Sequence, residues 1–195
     1  MKMNYAEMYG RIHEDSAKTY PGMTIRPYVP RIAKLVREVG AKRILDYGSG
    51  KGYQYLKARV HEEWGGVLPH CYDVGVRQLA SRPEGLFDGL ISTDMLEHIE
   101  KPDVPGVLDE LIGFVAPGGF LFLGISCRPT RKKLPEGGDV HRTIESPRWW
   151  ADLITDRYQR SGQRGQIAMR AEFDLGAPPH FPDASGEPYE WRLTP

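Results

Sequence analysis

Apolar residues along this chain recur with two spacings, one typical of helices and one typical of strands. Residues 28–39 carry apolar side chains at helical spacing, and Gly40 is suited to end that helix. Short, nearly continuous apolar runs predict buried strands at 43–47, 67–72, 87–93 and 120–126. Helical spacing and helix-start residues predict further helices at 51–60, 104–115 and 147–160.

This alternation of strands and helices predicts the fold class. Strands buried on both faces and joined by helices form parallel sheets, so we expect an α/β fold, doubly wound, with a mostly parallel sheet. Asp103 and Ser146 are the expected N-caps of the last two helices. Two late strand candidates, at 166–173 and 189–193, close the chain. Residues 1–27 are polar and irregular, so the expected organisation is an N-terminal segment followed by one domain over 28–195.

The composition narrows the class of protein. The chain has 195 residues, and its 26 basic and 26 acidic side chains give a formal net charge of zero, unlike the basic domains of most duplex-binding proteins. Cys71 and Cys127 form no CxxC pair, which excludes a disulfide framework and a four-cysteine zinc site. No apolar run approaches the roughly 18 residues of a membrane span, and residues 1–10 carry no hydrophobic signal region. We expect a soluble cytoplasmic protein without a membrane partner.

A glycine-rich turn, DYGSGKG at 46–52, lies where the first predicted strand passes into a helix. Glycines there let a ligand lie against the main chain, and the helix N-terminus that follows suits a carboxylate or a phosphate. A nucleoside-triphosphate loop would need Ser or Thr after Lys51, where this chain has Gly52, and a dinucleotide loop would place its third glycine one residue later. S-adenosylmethionine (SAM) remains as the ligand, with a purely structural turn as the alternative.

Two carboxylates accompany this turn. Asp46 ends the first strand, and Asp73 follows the second strand about twenty residues after the glycines. A carboxylate at that place can accept hydrogen bonds from both hydroxyls of a ribose. The alternative for Asp73 is a turn-forming role at the strand end.

Four segments together resemble the successive motifs of class I SAM-dependent methyltransferases: ILDYGSGKG (44–52), YD (72–73), FDGLISTDMLEHIE (87–100) and APGGFLFLGIS (116–126). The resemblance covers about residues 28–160 and implies a Rossmann-like methyltransferase fold, methyl transfer and SAM as cofactor. It implies that Asp46 lies by the methionine amino group, that the glycines line the methionine carboxylate and the adenosyl moiety, and that Asp73 holds the ribose. The implied cofactor-binding residues are Asp46, Gly48, Ser49, Gly50, Gly52, Asp73, Thr93, Asp94 and Met95.

The chain departs from this family between Asp73 and Phe87. About thirteen residues lie between them, where the family usually fits a helix and another strand. We therefore expect the sheet to lack a strand or to hold only a stub of one, and the adenine contacts stay open, with Val74, Leu79 and Ala80 as candidates. The two late strands are expected to form an antiparallel pair, which is also similar to the family. By the same resemblance, Tyr5, His13 and Tyr20 of the segment 1–27 are expected to form a lid over the cofactor.

A cluster of possible metal ligands follows the third predicted strand. If the turn there is helical, Asp94, Glu97 and His98 share one face, beyond the carboxyl end of a strand. The loop that carries His141, GGDVHRTIESPRWW (137–150), should reach the same edge of the sheet. Two carboxylates and imidazole suit a divalent cation.

The pattern D-x-x-E-H followed by a distant His is similar to that of small-RNA 2′-O-methyltransferases and, in its E-x-x-E-H part, of ubiquinone-pathway O-methyltransferases. The resemblance implies that Asp94, Glu97, His98 and His141 hold Mg²⁺, Mn²⁺ or Zn²⁺, although Asp94 is one methylene shorter than the family's glutamate. The alternative is that these residues brace the loop, or that His98 or His141 is a general base. The candidate catalytic residues are His98, His141 and Asp94.

The acceptor is predicted only by class. Arg131, Lys132 and Lys133, with Arg128 and Arg142 nearby, form a basic cluster that either binds an anionic acceptor or is a solvated loop. The favoured function is methyl transfer to a hydroxyl or carboxylate oxygen of a small molecule. The alternatives are a metal-assisted RNA 2′-O-methyltransferase, which zero net charge disfavours, and a non-catalytic SAM-binding module.

Overall fold

The computed structural model of the protein describes residues 5–15, 20–130, 137–176 and 189–193. Its helices are α1 (Tyr5–Asp15), α2 (Val29–Val39), α3 (Tyr53–Leu56), α4 (Val104–Gly113) and α5 (Pro147–Arg160). Its strands are β1 (Ile44–Tyr47), β2 (His70–Tyr72), β3 (Phe87–Thr93), β4 (Val115–Ser126), β5 (Ala168–Asp174) and β6 (Tyr189–Leu193). Short 3-10 helices lie at Arg26–Tyr28, Val60–Trp64, Arg77–Leu79 and Leu96–His98.

The strands form one sheet in the order β2-β1-β3-β4-β5-β6. Strands β1 to β5 pair in parallel, and β6 pairs with β5 in antiparallel fashion. The predicted mostly parallel, doubly wound sheet is therefore confirmed, as is the antiparallel pairing of the last two strands. Because β1, β3 and β4 run in the same direction, their carboxyl ends meet at one edge of the sheet, where α/β folds bind ligands.

Two hydrophobic cores cover the two faces of the sheet. Alternate residues of β4 divide between them, with Leu121 and Leu123 in the core under α4 and α5, and Phe120 and Phe122 in the core under α2. Five consecutive residues at the end of β3 are buried, which confirms that the apolar runs are strands covered on both sides. Of the two adjacent tryptophans that open α5, Trp150 is fully buried.

The N-terminal helix α1 is the largest departure from the sequence pattern. Residues 1–27 were expected to be irregular, yet an 11-residue helix covers Tyr5–Asp15. Its apolar residues Tyr5, Met8 and Tyr9 stand at i, i+3 and i+4, so they share one face, and they pack against the rest of the protein. The stability of this helix comes from that tertiary contact more than from local propensity.

The helix expected over 51–60 is wrong in extent. Helix α3 ends after Leu56, and Arg59 takes a left-handed conformation with φ 50° before the chain turns into the 3-10 helix Val60–Trp64. Asp103 stands at the N-cap position of α4, but its carboxylate makes no capping hydrogen bond, and its Oδ2 accepts from the Tyr5 hydroxyl at 2.8 Å. Ser146 caps α5 as expected, with its Oγ accepting from Trp149 N.

The segment between β2 and β3 contains no strand; residues 73–86 are all described and hold only the 3-10 turn Arg77–Leu79. Strand β2 is therefore an edge strand, and the expected loss of a strand is confirmed. Across the described ranges the longest helix, α5, has 14 residues, and none has the length and hydropathy needed to cross a bilayer.

Candidate functional site

A cavity of about 310 Å³ opens at the carboxyl edge of the sheet. Its size falls at the lower end of the range of small-molecule sites, which is about 300–1,000 Å³. Several residues that the sequence singled out line it, namely Gly48, Gly50, Asp73, Val74, Thr93, Asp94, Met95, His98 and His141. Others do not reach its wall, namely Asp46, Ser49, Gly52, Leu79, Ala80 and Glu97. The cavity therefore joins the glycine turn to the predicted histidine cluster.

The glycine turn lets other backbone and side chains approach closely. Gly48, Gly50 and Gly52 have φ values of 81°, 56° and 65°, which L side chains rarely adopt. A Cβ on Gly48 would lie 2.4 Å from Met95 Cγ, and one on Gly50 would lie 2.6 Å from the Tyr20 carbonyl oxygen. The backbone conformation thus favours glycine at all three positions, and close packing also requires it at Gly48 and Gly50.

The backbone N–H groups of this turn are already engaged. Residues 20–22 run across the start of α3, and their carbonyl oxygens accept from Lys51 N, Tyr53 N and Gln54 N at 3.2, 3.0 and 2.8 Å. The N–H groups of Gly48 and Ser49 donate to Tyr72 O. The expectation that the helix N-terminus offers its N–H groups to a ligand is therefore wrong, because a neighbouring chain segment saturates them.

Asp73 ties the glycine turn to the end of β2. Its Oδ2 accepts from Gly50 N at 2.8 Å, and its Oδ1 accepts from Gly75 N at 2.9 Å. Its side chain also lines the cavity. Because each carboxylate oxygen has two lone pairs, Asp73 can brace the turn and still accept hydrogen bonds from a ligand.

Asp46 is enclosed behind the turn. Its Oδ2 accepts from Gln54 Nε2 at 2.7 Å and from the Tyr55 hydroxyl at 2.8 Å, and the residue is 1% exposed. Burial raises the pKa of Asp46 from its usual 3.8 to about 7, against the opposing effect of these two hydrogen bonds. The side chain thus acts within the protein, fastening α3 to β1.

The raised pKa of Asp46 predicts a pH-dependent stability. Since the folded state favours the protonated form, the free energy of unfolding should fall as the pH rises from about 4 to about 7. Asp46→Asn, which carries no charge, should flatten this slope in urea unfolding measured at successive pH values. An unchanged slope would show that the carboxyl group is not penalised by its burial.

The turn after β3 brings together a glutamate and two histidines. One ligand atom from each of Glu97, His98 and His141 lies within 4.8 Å of the others. The imidazole rings of His98 and His141 have centroids 4.9 Å apart and stand nearly perpendicular, at 81°. His98 and His141 line the cavity, and Glu97 lies behind them, fully buried.

Hydrogen bonds and burial determine where the protons lie in the cluster of Glu97, His98 and His141. The Arg128 carbonyl oxygen lies 2.7 Å from His141 Nδ1, and because a carbonyl only accepts, Nδ1 carries the proton and Nε2 the lone pair of neutral His141. Glu97 Oε1 accepts from Ser126 N at 3.2 Å, whereas its Oε2 has no hydrogen-bond partner among the described residues. Burial, and then the nearby Asp94, raise the pKa of Glu97 well above its usual value.

Asp94 lies outside this cluster. The sequence placed it on one helical face with Glu97 and His98, but the turn is a 3-10 helix that begins only at Leu96. Asp94 itself has a left-handed backbone, φ 49°, and its N–H donates to Gly124 O at 2.9 Å. The predicted four-residue metal set is therefore reduced to three, and Asp94 lies apart in the cavity wall.

Aromatic residues of the N-terminal part cover His98. The rings of Tyr9 and Tyr20 lie 5.8 and 5.5 Å from the His98 ring, and the Tyr9 hydroxyl donates to His98 O. Tyr5 also lines the cavity. Sequence reasoning missed Tyr9, although its spacing from Tyr5 and Met8 is a helical signal; the side chain of His13 is outside the described residues. That residues 1–27 act as a lid stays a prediction.

The charge of the described cavity wall is mainly negative. Asp73, Asp94 and Asp174 line it, and Arg128 is the one Lys or Arg side chain among the described lining residues. Arg128 Nε donates to Asp174 Oδ2 at 2.9 Å, so its charge is partly neutralised. Of the other members of the predicted basic cluster, Arg142 pairs with Glu100, and residues 131–133 lie outside the described residues.

Comparison with known protein families identifies a methyltransferase domain in this chain. A family model described as a methyltransferase domain matches residues 23–164. An O-methyltransferase family protein from Burkholderia thailandensis is 18% identical, with a TM-score of 0.48, over 68% of this chain and 50% of that one. A sugar N-methyltransferase from a Streptoalloteichus species is 17% identical, with a TM-score of 0.36, over 62% of this chain and 54% of that one. The chain thus spans about half the length of these two proteins. No curated protein sequence matches it.

Proposed function

This chain belongs to the methyltransferase-domain family, and from that premise we propose that it is a SAM-dependent methyltransferase whose acceptor is a hydroxyl group of a small molecule. The observation that carries the proposal is the pair His98 and His141 in the wall of the cavity that also contains the glycine turn. A hydroxyl is a weak nucleophile that must lose a proton during attack, and histidine is suited to take it near neutral pH. Family membership favours a catalytic protein over a non-catalytic SAM-binding module.

The described wall favours a neutral acceptor over an anionic one. Its carboxylates outnumber its one Arg side chain, which is already paired with Asp174. A carboxylate acceptor would be repelled by this wall, and it would not need a base. The hydroxyl therefore fits better than the carboxylate alternative.

We assign cofactor binding to one end of the cavity and proton acceptance to the other. SAM, when bound, supplies a methyl group already activated on a sulfonium sulfur. At one end, Asp73 would accept hydrogen bonds from the cofactor, and the backbone of Gly48 and Gly50, whose N–H groups are engaged within the protein, would lie against it. Met95 lies behind the turn. At the other end, Nε2 of His141 would accept the hydroxyl proton as the oxygen–methyl bond forms and the sulfur–methyl bond breaks. The alignment of the two reactants supplies much of the rate.

A divalent metal held by Glu97, His98 and His141 is the second form of this proposal. The residues fit the group, because one carboxylate and two imidazoles make up a common catalytic zinc set, and because Glu97 Oε2 is buried without a hydrogen-bond partner among the described residues. The proton on His141 Nδ1 leaves Nε2 as the ligand atom. A bound metal would lower the pKa of a coordinated hydroxyl.

Metal titration of chelator-treated protein tests this second form. We expect calorimetry to show one Zn²⁺ or Mn²⁺ bound per chain, with about tenfold or greater loss of affinity in Glu97→Gln. Glu110→Gln is the matched control, since Glu110 lies on α4 and pairs with Arg82 outside the cavity. No metal heat in the unaltered protein, or equal affinity in both variants, would leave the histidines as metal-free bases.

The acceptor class is tested by transfer of labelled methyl from SAM to a chosen panel. It contains glucose and catechol as hydroxyl acceptors, benzoate as a carboxylate, and a short single-stranded RNA. We expect label in a base-stable methyl ether of a neutral hydroxyl compound. Label confined to a base-labile ester would support a carboxylate acceptor, and label confined to RNA, with salt-sensitive binding, would support the RNA 2′-O-methyltransferase.

A further inference from the structure

The carboxylate of Asp139 joins two backbone segments beside the histidine cluster. Its Oδ1 accepts from the backbone N–H of His141 at 2.9 Å, and its Oδ2 accepts from the backbone N–H of Thr130 at 3.2 Å. One side chain thus holds residues 128–130 next to residues 139–141. Asp139 does not line the cavity, so it would act on the reaction through its neighbours.

The segment that Asp139 holds in place supplies the hydrogen-bond partner of the His141 ring. Arg128 O lies 2.7 Å from His141 Nδ1, and this contact decides which ring nitrogen carries the proton. A histidine that loses such a partner can exchange tautomers and rotate, which moves the lone pair away from the position where it is needed. The orientation of His141 therefore depends on where the Arg128 carbonyl stands.

The downstream side of His141 is fastened separately. The N–H groups of Arg142 and Thr143 donate to Glu97 O at 2.7 and 3.0 Å, and Thr143 Oγ1 donates to Ile99 O at 2.7 Å. These bonds keep the backbone of the His141 loop against the turn that carries His98, whether or not Asp139 is present. Removing the Asp139 carboxylate should therefore leave His141 near the site and release its ring from a fixed tautomer.

We infer that Asp139 is a positioning residue, which sets the tautomer and the ring orientation of His141 by holding the Arg128 carbonyl against its Nδ1. The inference rests on the proposed function, because it matters for turnover only if His141 takes the acceptor proton or binds a metal. The tautomer itself can be measured without an acceptor, so the two ideas can fail separately.

The test is a nitrogen-15 NMR measurement of histidine tautomers on the full chain bound to S-adenosylhomocysteine, at a pH where the imidazoles are neutral. In the unaltered protein the His141 signals, assigned from their loss in His141→Gln, should show a single tautomer protonated on Nδ1. Asp139→Ala should show a mixture of both tautomers, and its methyl transfer should be about 10–100-fold lower, with the KM for SAM unchanged. Asp139→Asn keeps one acceptor oxygen, so its tautomer ratio and its methyl-transfer rate should lie between those of the unaltered protein and Asp139→Ala.

Asp88→Ala is the matched control for lost hydrogen bonds. The Asp88 carboxylate also accepts from two backbone N–H groups, those of Lys42 and Arg43, but at the opposite end of β3 from the cavity. It should lower stability and leave the His141 tautomer unchanged. A single Nδ1-protonated tautomer in Asp139→Ala, or in Asp139→Asn if the alanine variant does not fold, overturns the inference. Full methyl transfer by His141→Ala would instead contradict the proposed function and leave the tautomer result standing.

Discussion

His141→Ala is expected to lower methyl transfer by about 10²–10⁴-fold, the usual contribution of a general base. The His141 imidazole lines the cavity. Its Nδ1 contacts the Arg128 carbonyl oxygen, and this contact leaves the lone pair on Nε2. The substitution removes the ring nitrogen that we propose takes the proton of the acceptor hydroxyl. The measurement is the rate of methyl transfer at saturating SAM, with the acceptor that the unaltered protein methylates.

Cofactor binding separates a chemical role of His141 from a structural one. S-adenosylhomocysteine should bind His141→Ala as tightly as the unaltered protein, because the glycine turn and Asp73 remain intact. His70→Ala, at an exposed position on the edge strand β2, is the matched histidine control and should keep full activity. A His141→Ala protein that is unfolded or has lost cofactor affinity would assign the histidine to the structure and not to the reaction.

Asp73→Ala should weaken S-adenosylhomocysteine binding by roughly 1–3 kcal/mol, which is about 5–150-fold in Kd. The substitution removes two kinds of hydrogen bond. The carboxylate accepts from the N–H groups of Gly50 and Gly75, and it faces the cavity where the resemblance of this chain to the family places the ribose. Asp73→Asn keeps one acceptor oxygen and should lose less. Calorimetric titration of each variant gives the affinities directly.

The control for Asp73 must remove similar hydrogen bonds away from the cavity, and Asp88→Ala does so. It should leave the affinity for S-adenosylhomocysteine unchanged even if it lowers the melting temperature. An affinity in Asp73→Ala equal to that of the unaltered protein would remove Asp73 from the cofactor site and reduce its role to the turn at the end of β2.

The elements that the sequence predicted best are those whose burial is visible as a local run of apolar residues. Strand β3 was predicted with the bounds that it has, because FDGLIST is an apolar run bounded by turn residues. The mostly parallel sheet was predicted from strands that alternate with helices. Helix α3 was predicted too long, since the chain leaves the helical conformation at Arg59, whose left-handed backbone has no glycine to mark it in the sequence.

Only part of the site was predicted from the sequence, because spacing does not reveal the backbone conformation at single residues. Glu97, His98 and His141 do come together, as spacing and topology indicated, but Asp94 does not join them, because its left-handed backbone breaks the helical face that the spacing assumed. Asp46 was expected at the ligand, whereas Gln54 and Tyr55 enclose it. Asp139 was overlooked, although an aspartate two residues before a histidine in a glycine-rich loop is a signal for a side-chain-to-backbone turn.

The most direct test of the account is a calorimetric titration of S-adenosylhomocysteine into the chelator-treated full chain. We expect one site per chain with a Kd in roughly the micromolar range, which corresponds to about 8 kcal/mol of binding free energy. Binding of that strength, weakened in Asp73→Ala, would assign the cofactor to the cavity beside the glycine turn. No heat of binding with S-adenosylhomocysteine at about 1 mM would contradict the account, because the cavity at the carboxyl edge of the sheet would then not be a cofactor site.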